Sequence, residues 1–507
     1  MHILIRTISL LLILTPLVGA QDDAAVVVSV VGSESMDLSL EEAIGLALDH
    51  NLDLEVQRIS ERRNQRDPLI AEAAFDPLFR TGFTWSKSST TSTSIIAGAE
   101  VGEQSERDNR NYFLGLSGQL RYGTTWNLRV NGSRSETSAD SIFFSPLNYR
   151  GAYELSLSQP LLRGFGRDIT ETSFRIAVRS AAASRLATRR SVETTVASVV
   201  GSYWDLVYTR RNVAVQESAL AEARELLEIN RRRLEVGTGT EIDVISAEAN
   251  IETQKASIID AVNQLRDIQD VLLDKINAPG FRLGGESGPM FRDIEVIPTT
   301  SLELTEFPVE MAEAVQMALI TRLELVQQQL QIANSVDQLR LSEDQLRPSL
   351  TLDGGWNQPG NDLTFDGSWA NIGEDYSWNA GLNFEIPLGN RAARNRLLQS
   401  REDLRLSHIS RDQASHGIVL EVTRAVRELQ SARQSVETTA AATRLRREEL
   451  DGETRRLEVG VSTAYQVLQV QNSLLGAQVS ELQSQVRLRK AISSYRNATG
   501  TILKGYG

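Results

Sequence analysis

The sequence predicts a mixed fold: very long antiparallel coiled helices joined to a transmembrane β-barrel, with the whole plan laid down twice along one chain. Three observations predict it. RRLEVG occurs at Arg232–Gly237 and again at Arg455–Gly460, each time inside a long helical pattern. Two stretches without internal proline carry apolar residues at helical spacing over roughly 70 residues. The segments between them alternate apolar and polar residues over about 9–11 positions, the length and period of a membrane-spanning strand.

The N-terminus is read first. MHILIRTISLLLILTPLVGA has a basic residue (Arg6), an apolar run from Ile8 to Leu14, Pro16, and small residues at Gly19 and Ala20. This predicts a secretory signal peptide over 1–20, cut near Ala20. A transmembrane anchor fits less well, because the apolar run is short and broken by proline. Residues 21–38 follow as an N-terminal extension. The 507 residues include no cysteine, which excludes disulfides, thiol catalysis, Cys-ligated metals and an acylated N-terminal cysteine. A net charge of −13 argues against a nucleic-acid partner. Beyond the leader no segment is long and apolar enough for a membrane helix, so membrane entry requires a β-barrel.

The first repeat covers 39–278: a helix over Ser39–Ala74, a β segment at about 78–160, and a long helical hairpin. The outgoing helix runs from about Thr170 to Val236, the tip lies at 234–240, and the return helix covers Glu241–Asn277. Val192, Val196, Val199, Val200, Tyr203, Trp204 and Val207 form its apolar stripe. A linker spans 279–308. The second repeat, 309–507, has a helix over Val309–Leu346, a β-hairpin at about 349–387, and a hairpin with its tip at 457–463 and return helix Thr463–Ala498. EEAIGLALDHNLDLEVQ from Glu41 matches AEAVQMALITRLELVQQ from Ala312, and QPLLRGFGR from Gln159 matches IPLGNRAAR from Ile386. The offset drops from 271 to 227 between these two matches, so the first β segment is longer by about 44 residues. Two short helices of about 36 residues match one long helix, which predicts that they stack end to end beside it.

Six runs read as strands. Phe79, Phe83 and Trp85 share a face, as do Tyr112, Leu114, Leu116, Leu120 and Tyr122. Trp126, Leu128 and Val130 form the next face, then Tyr153, Leu155 and Leu157. In the second half Leu350, Leu352 and Trp356 alternate, as do Tyr376, Trp378, Leu382, Phe384 and Ile386. Trp85, Trp126, Trp356 and Trp378, with Trp369, suit an interfacial aromatic girdle against outer membrane lipid. A soluble sandwich would need a second sheet over that face. Ser88–Arg110, Ser133–Tyr149 and Asn357–Asp375 read as long polar loops, with a tight turn at Tyr122-Gly123-Thr124. Neither two, four nor six strands close such a barrel, so several protomers must contribute, most simply as a ring. The middle pair (Tyr112–Tyr122 and Thr125–Gly132) reads either as part of the wall or as an insertion outside it.

Chemistry-bearing clusters are sparse. His408 and His416 lie eight apart on one helix, where a solvated pair is the simpler account than a metal site. GFGRD after Leu162 lacks the P-loop lysine and reads as a strand-to-helix joint. No catalytic residue, metal ligand or cofactor is expected. At the tips, Gly237, Gly239 and Gly460 suit a backbone reversal with positive φ, and Thr240 and Thr463 suit N-caps.

The signal peptide, the duplicated plan, EEAIGLALDHN, QPLLRGFGR, IPLGNRAARNRL and the paired RRLEVG tips together resemble the TolC-type outer membrane efflux proteins, over essentially the whole mature chain. The resemblance implies a homotrimer with a long coiled-coil α-barrel crossing the periplasm and a β-barrel in the cell outer membrane. It implies a non-enzymatic channel that works with a periplasmic adaptor (a membrane fusion protein) and an inner-membrane transporter of the RND, ABC or MFS type. Leu234, Glu235, Val236, Gly237, Leu457, Glu458, Val459 and Gly460 would then meet the adaptor. Asp243, Gln466 and Gln469, with Arg232 and Arg455, would lie at the periplasmic gate, and the arginines would pair with Glu235, Glu458 or neighbouring helices. Two departures stand out. Neutral amides occupy second-repeat gate positions where some relatives place carboxylates, and six strands per protomer would give 18 in a trimer where four give the usual 12. A rival reading is a non-conducting coiled-coil structural protein spanning the periplasm.

Overall fold

The computed structural model describes residues 34–91, 104–138, 146–277, 294–302 and 308–505. The signal peptide, part of the N-terminal extension and most of the 279–308 linker lie outside the described residues. The chain opens with β1 (Glu34–Leu38), then α1 (Leu40–His50), α2 (Leu52–Asn64) and α3 (Asp67–Glu72). Strands β2 (Leu78–Thr91), β3 (Gln104–Gln119), β4 (Thr125–Thr137) and β5 (Leu147–Pro160) follow. A single turn, α4 (Arg167–Thr170), leads into α5 (Thr172–Glu235), which returns as α6 (Glu241–Ile276). The second half has β6 (Ile294–Pro298), α7 (Met311–Thr321), α8 (Leu323–Asp344), β7 (Ser349–Asp362), α9 (Phe365–Ala370) and β8 (Ser377–Glu385). It ends with α10 (Arg391–Glu458) and α11 (Ala464–Ala498).

The long helices α5 and α10 contain 64 and 68 residues. At 1.5 Å per residue each is a rod of about 100 Å. The expected stripe on α5 is buried: Val196, Val199, Val200, Tyr203, Trp204 and Val207 pack against Leu38, Ile44, Val296 and Leu302. Beside them β1 and β6 form a parallel two-stranded ribbon. The Tyr203 hydroxyl donates to Leu38 O at 3.0 Å and accepts from Thr300 N at 3.1 Å. On α10 the stripe is Val422, Val426 and Leu429.

Near the tips the helices pack in the order α6, α5, α11, α10, and nearer the sheet α8 takes the place of α11 between α5 and α10. The short helices therefore do stack end to end along the long ones, and the joints repeat. Asn51 Nδ2 donates to Lys275 O at 2.8 Å, and Arg322 Nη1, at the matching second-repeat position, donates to Ala498 O at 3.0 Å. A side chain thus satisfies a carbonyl at the end of the helix stacked against it. The expected single helices over Ser39–Ala74 and Val309–Leu346 are each broken at this joint. Asn51 and Arg322 have extended backbone (ψ 125° and 122°), and Asn51 caps α2 by accepting from Leu54 N at 3.0 Å.

The six long strands form one antiparallel sheet in the order β2-β3-β4-β5-β7-β8. The middle pair, β3 and β4, is bonded on both sides and lies within the sheet. Strands reach further than expected, up to 16 residues in β3. Much of what reads as loop at Ser88–Arg110, Ser133–Tyr149 and Asn357–Asp375 is strand or, at Phe365–Ala370, helix. Polar residues extend the ladder because backbone pairing needs no apolar side chain, and Lys87 pairs with Glu106 at 2.8 Å across β2 and β3. The Tyr122-Gly123-Thr124 turn is tight, with Gly123 at φ +95°. No described helix is long and apolar enough to cross a membrane.

Candidate functional site: paired turns and a two-faced sheet

Helix C-termini leave carbonyls without partners, and a left-handed glycine lets the chain fold back to satisfy them. Both tips do so with the same bonds. In the first, Gly237 N donates to Leu234 O at 3.0 Å and Thr238 N to Arg233 O at 2.8 Å. In the second, Gly460 N donates to Leu457 O at 3.1 Å and Val461 N to Arg456 O at 2.8 Å. Gly237 and Gly460 share φ +78°. Gly239 does not have the positive φ expected of it. A Cβ there would approach Arg233 Cβ and Leu234 N at 3.1 Å, and the matching second-repeat position is Ser462.

The return helices begin with capping boxes. Thr240 accepts from Asp243 N while the Asp243 carboxylate accepts from Thr240 N at 3.1 Å. Thr463 and Gln466 make the same pair, at 3.2 Å. Asp243 and Gln466 are therefore equivalent caps that differ in charge. Gln469 is exposed one turn further along α11.

The tips differ in contacts that the shared RRLEVG phrase does not show. Arg233 Nη1 donates to Leu457 O, so a cation from the first tip caps the C-terminus of α10. Its counterpart Arg456 bonds instead to Glu453 on its own helix, at 3.0 Å. Ser462 lies between Glu453 and Gln466 Oε1, the latter at 2.9 Å. Where the second repeat has Glu453 the first has Asn230, whose Nδ2 donates to Asp243 O at 3.2 Å. Aligning the repeats at their shared offset would have exposed the Asn230/Glu453 and Gly239/Ser462 differences. Arg232 and Arg455 are exposed, and neither pairs with Glu235 or Glu458 among the described residues.

Large apolar side chains stand exposed at both tips among charged and polar neighbours. Val236 and Val459 are each 73% exposed, and Ile242 and Tyr465, at matching positions, are 74% and 70% exposed. Leu234 is partly exposed, whereas Leu457 is buried with Leu450, Val467 and Leu474 between the hairpins.

At the other end, the register places those apolar residues of the expected set that lie within the strands on one face, whereas Leu120, Tyr122, Tyr376 and Ile386 fall outside the ladders. Phe79, Leu116, Leu128, Leu155, Trp356 and Trp378 are successive cross-strand neighbours. The opposite face carries Arg80, Asn127, Arg129, Ser156, Asp353 and Asn379, and lines a concavity beside Ala73–Leu78. Trp126 lies against Gly118, whereas Trp85 lies six residues up β2 from Phe79. Trp85 Nε1 donates to Asp108 at 3.1 Å beneath the Arg110 guanidinium, where the apolar face gives way to charge. Trp369 lies on α9, packed edge-to-face with Tyr153 and Phe365 over the same face.

Burial opposes ionisation of Asp337 on α8, but hydrogen bonds from Arg179 (2.7 Å) and Arg175 (3.2 Å) on α5 outweigh it, and its carboxyl lies below the usual range. Among the described residues no group of three or more His, Cys, Asp or Glu could hold a metal ion.

A family model described as outer membrane efflux protein matches residues 125–274 and 314–501. The outer membrane efflux protein BepC of Brucella suis biovar 1 (strain 1330) is 26% identical over 376 residues, covering 73% of this chain and 75% of that protein. The Campylobacter jejuni outer membrane channel CmeC superposes with a TM-score of 0.66 at 16% identity, covering 91% of this chain and 86% of its own. The outer membrane protein VceC of Vibrio cholerae gives 0.64 at 16% identity, covering 91% and 96%. Identities this low speak for a shared fold.

Proposed function

The chain belongs to the outer membrane efflux protein family, and from that premise we propose that three copies form the exit duct of a tripartite efflux or secretion system. It is an outer membrane protein of a transport type, not an enzymatic one. In the proposed assembly the β-strands cross the outer membrane and the helices reach into the periplasm. Substrate passes by diffusion, driven by an inner-membrane transporter of the RND, ABC or MFS type through a periplasmic adaptor.

The observation that carries the reading is the pair of turns. Two equivalent tips, each built by the same hydrogen bonds and each exposing a valine, would give six similar sites around a trimer. An adaptor that presents a sixfold rim of apolar hairpins fits this surface. Leu234–Gly237 and Glu458–Gly460 would make that contact, with the buried Leu457 supporting the second turn from within. Asp243, Gln466 and Gln469, with Arg232 and Arg455, would line the constriction, which opens by a change of packing between the hairpins. Trp85, Trp126, Trp356 and Trp378 would face lipid.

The test is an export assay with both tip valines changed, Val236→Asp and Val459→Asp, in the native host. Export should be lost while detergent-stable trimers persist. Undiminished export with charged tips would overturn the docking role.

A further inference from the structure

We infer that all six strands of each protomer enter one common barrel, so that the trimer closes with 18 strands, β8 of each copy pairing with β2 of the next. This deepens the channel reading and rests on its trimeric ring. Four observations carry it.

First, β3 and β4 are hydrogen-bonded on both sides, to β2 and β5 respectively and to each other, along ladders of 12 to 14 residues. Removing them from the wall would break the ladders to β2 and β5, force those two strands into a new register against each other, and leave the outer edges of the displaced hairpin unpaired. Second, their apolar side chains continue the face of their neighbours. Leu114, Leu116, Leu128 and Val130 lie in rows with Phe79, Tyr153, Leu155 and Trp356. A hairpin lying outside the barrel has no need of that register.

Third, the β3–β4 turn is fastened to the helices. Arg121 bridges Glu72 at 2.6 Å and the buried Glu171 at 2.8 Å, and Gly166 N donates to Tyr122 O at 3.3 Å. The turn therefore sits at the strand-to-helix junction of the rest of the sheet, not on a peripheral arm. Fourth, the edges of the sheet suit closure, since with any even number of strands the first runs opposite to the last. β8 and β2 of adjacent copies thus meet antiparallel, as the other pairs do. Both are almost wholly exposed in the single chain, as sheet edges awaiting a partner are.

The consequence is a wide exit. At a strand spacing of about 4.8 Å and a tilt near 40°, 18 strands give a backbone diameter of about 36 Å, against about 24 Å for 12. Barrels of this strand number leave an aqueous channel. Its wall would present Arg80, Asn127, Arg129, Ser156, Asp353 and Asn379, short or flexible polar groups that keep the lumen wet. The exit then imposes little size selection, and selection falls to the constriction at the tips.

The decisive experiment is cryo-electron microscopy of the full-length protein in lipid nanodiscs, with the barrel strands counted. A trimer with 18 strands is expected. A trimer with 12, the β3–β4 hairpin lying outside, would overturn the inference and leave the channel reading standing; a non-trimeric or unclosed particle would overturn both. The cysteine-free chain permits an independent check by disulfide trapping in membranes. Asn127→Cys and Ser156→Cys, which face each other across β4 and β5, should lock within the chain. A 12-stranded wall, in which β2 lies beside β5, would leave that pair apart and unbridged.

Discussion

At the residue scale, the side chain that most distinguishes the two tips is Arg233. By capping the C-terminus of α10 it ties the hairpins of one protomer together, while Arg456 is held on its own helix. Arg233→Ala should therefore loosen the tips and raise single-channel conductance in planar bilayers, with Arg456→Ala having the smaller effect. Equal currents from wild type and both variants would remove Arg233 from any gating role. Asp337 is a residue of stability. Its folded pKa lies below the ordinary 3.8, so its ion pairs contribute fully above about pH 5 and are lost as pH falls through 3.8 and below. Removing one partner of a buried ion pair costs about 3–5 kcal/mol, so Asp337→Ala should melt markedly earlier at pH 7. Its thermal unfolding in detergent should also change less with acid than wild type, and parallel acid profiles would contradict this.

At the scale of elements, the helices and the repeat were legible because the 3.6-residue period and the glycine-threonine punctuation are local. The breaks at Asn51 and Arg322 were not, since each depends on a carbonyl contributed by a distant helix end. Strand faces were readable from alternation, but strand ends were not. Above the apolar band the ladder continues through Ser, Thr and charged residues that look like loop. In the tips the turn glycines and caps could be read, and Glu453 and Ser462 differ visibly from Asn230 and Gly239 at the repeat offset, yet the unequal partners of the identical Arg233 and Arg456 became visible only with the hairpins packed together. The capping boxes make their own prediction. Thr240→Ala or Thr463→Ala should each cost about 1 kcal/mol, read as faster hydrogen exchange confined to the first turn of α6 or α11. Unchanged protection in those turns would mean that other contacts hold them.

At the scale of the whole molecule, the sheet and the helices pose complementary problems that assembly solves together. A sheet with one apolar and one polar face and two open edges has no stable form as a lone chain in lipid or in water. Rods of about 100 Å with buried stripes on one side and exposed charge elsewhere suit a wall one helix thick. In the proposed assembly a ring of copies would close the sheet and align the rods beneath it, and the paired tips would then form its far rim. A solid periplasmic rod would satisfy the helices and leave the polar face of the sheet without a purpose. The measurement that tests the central claim most directly is ion conductance of the purified, detergent-stable protein in planar lipid bilayers. Discrete, long-lived current steps from a trimeric preparation are predicted. A trimer that inserts into the bilayer yet passes no current, including with Arg233→Ala, would contradict the account.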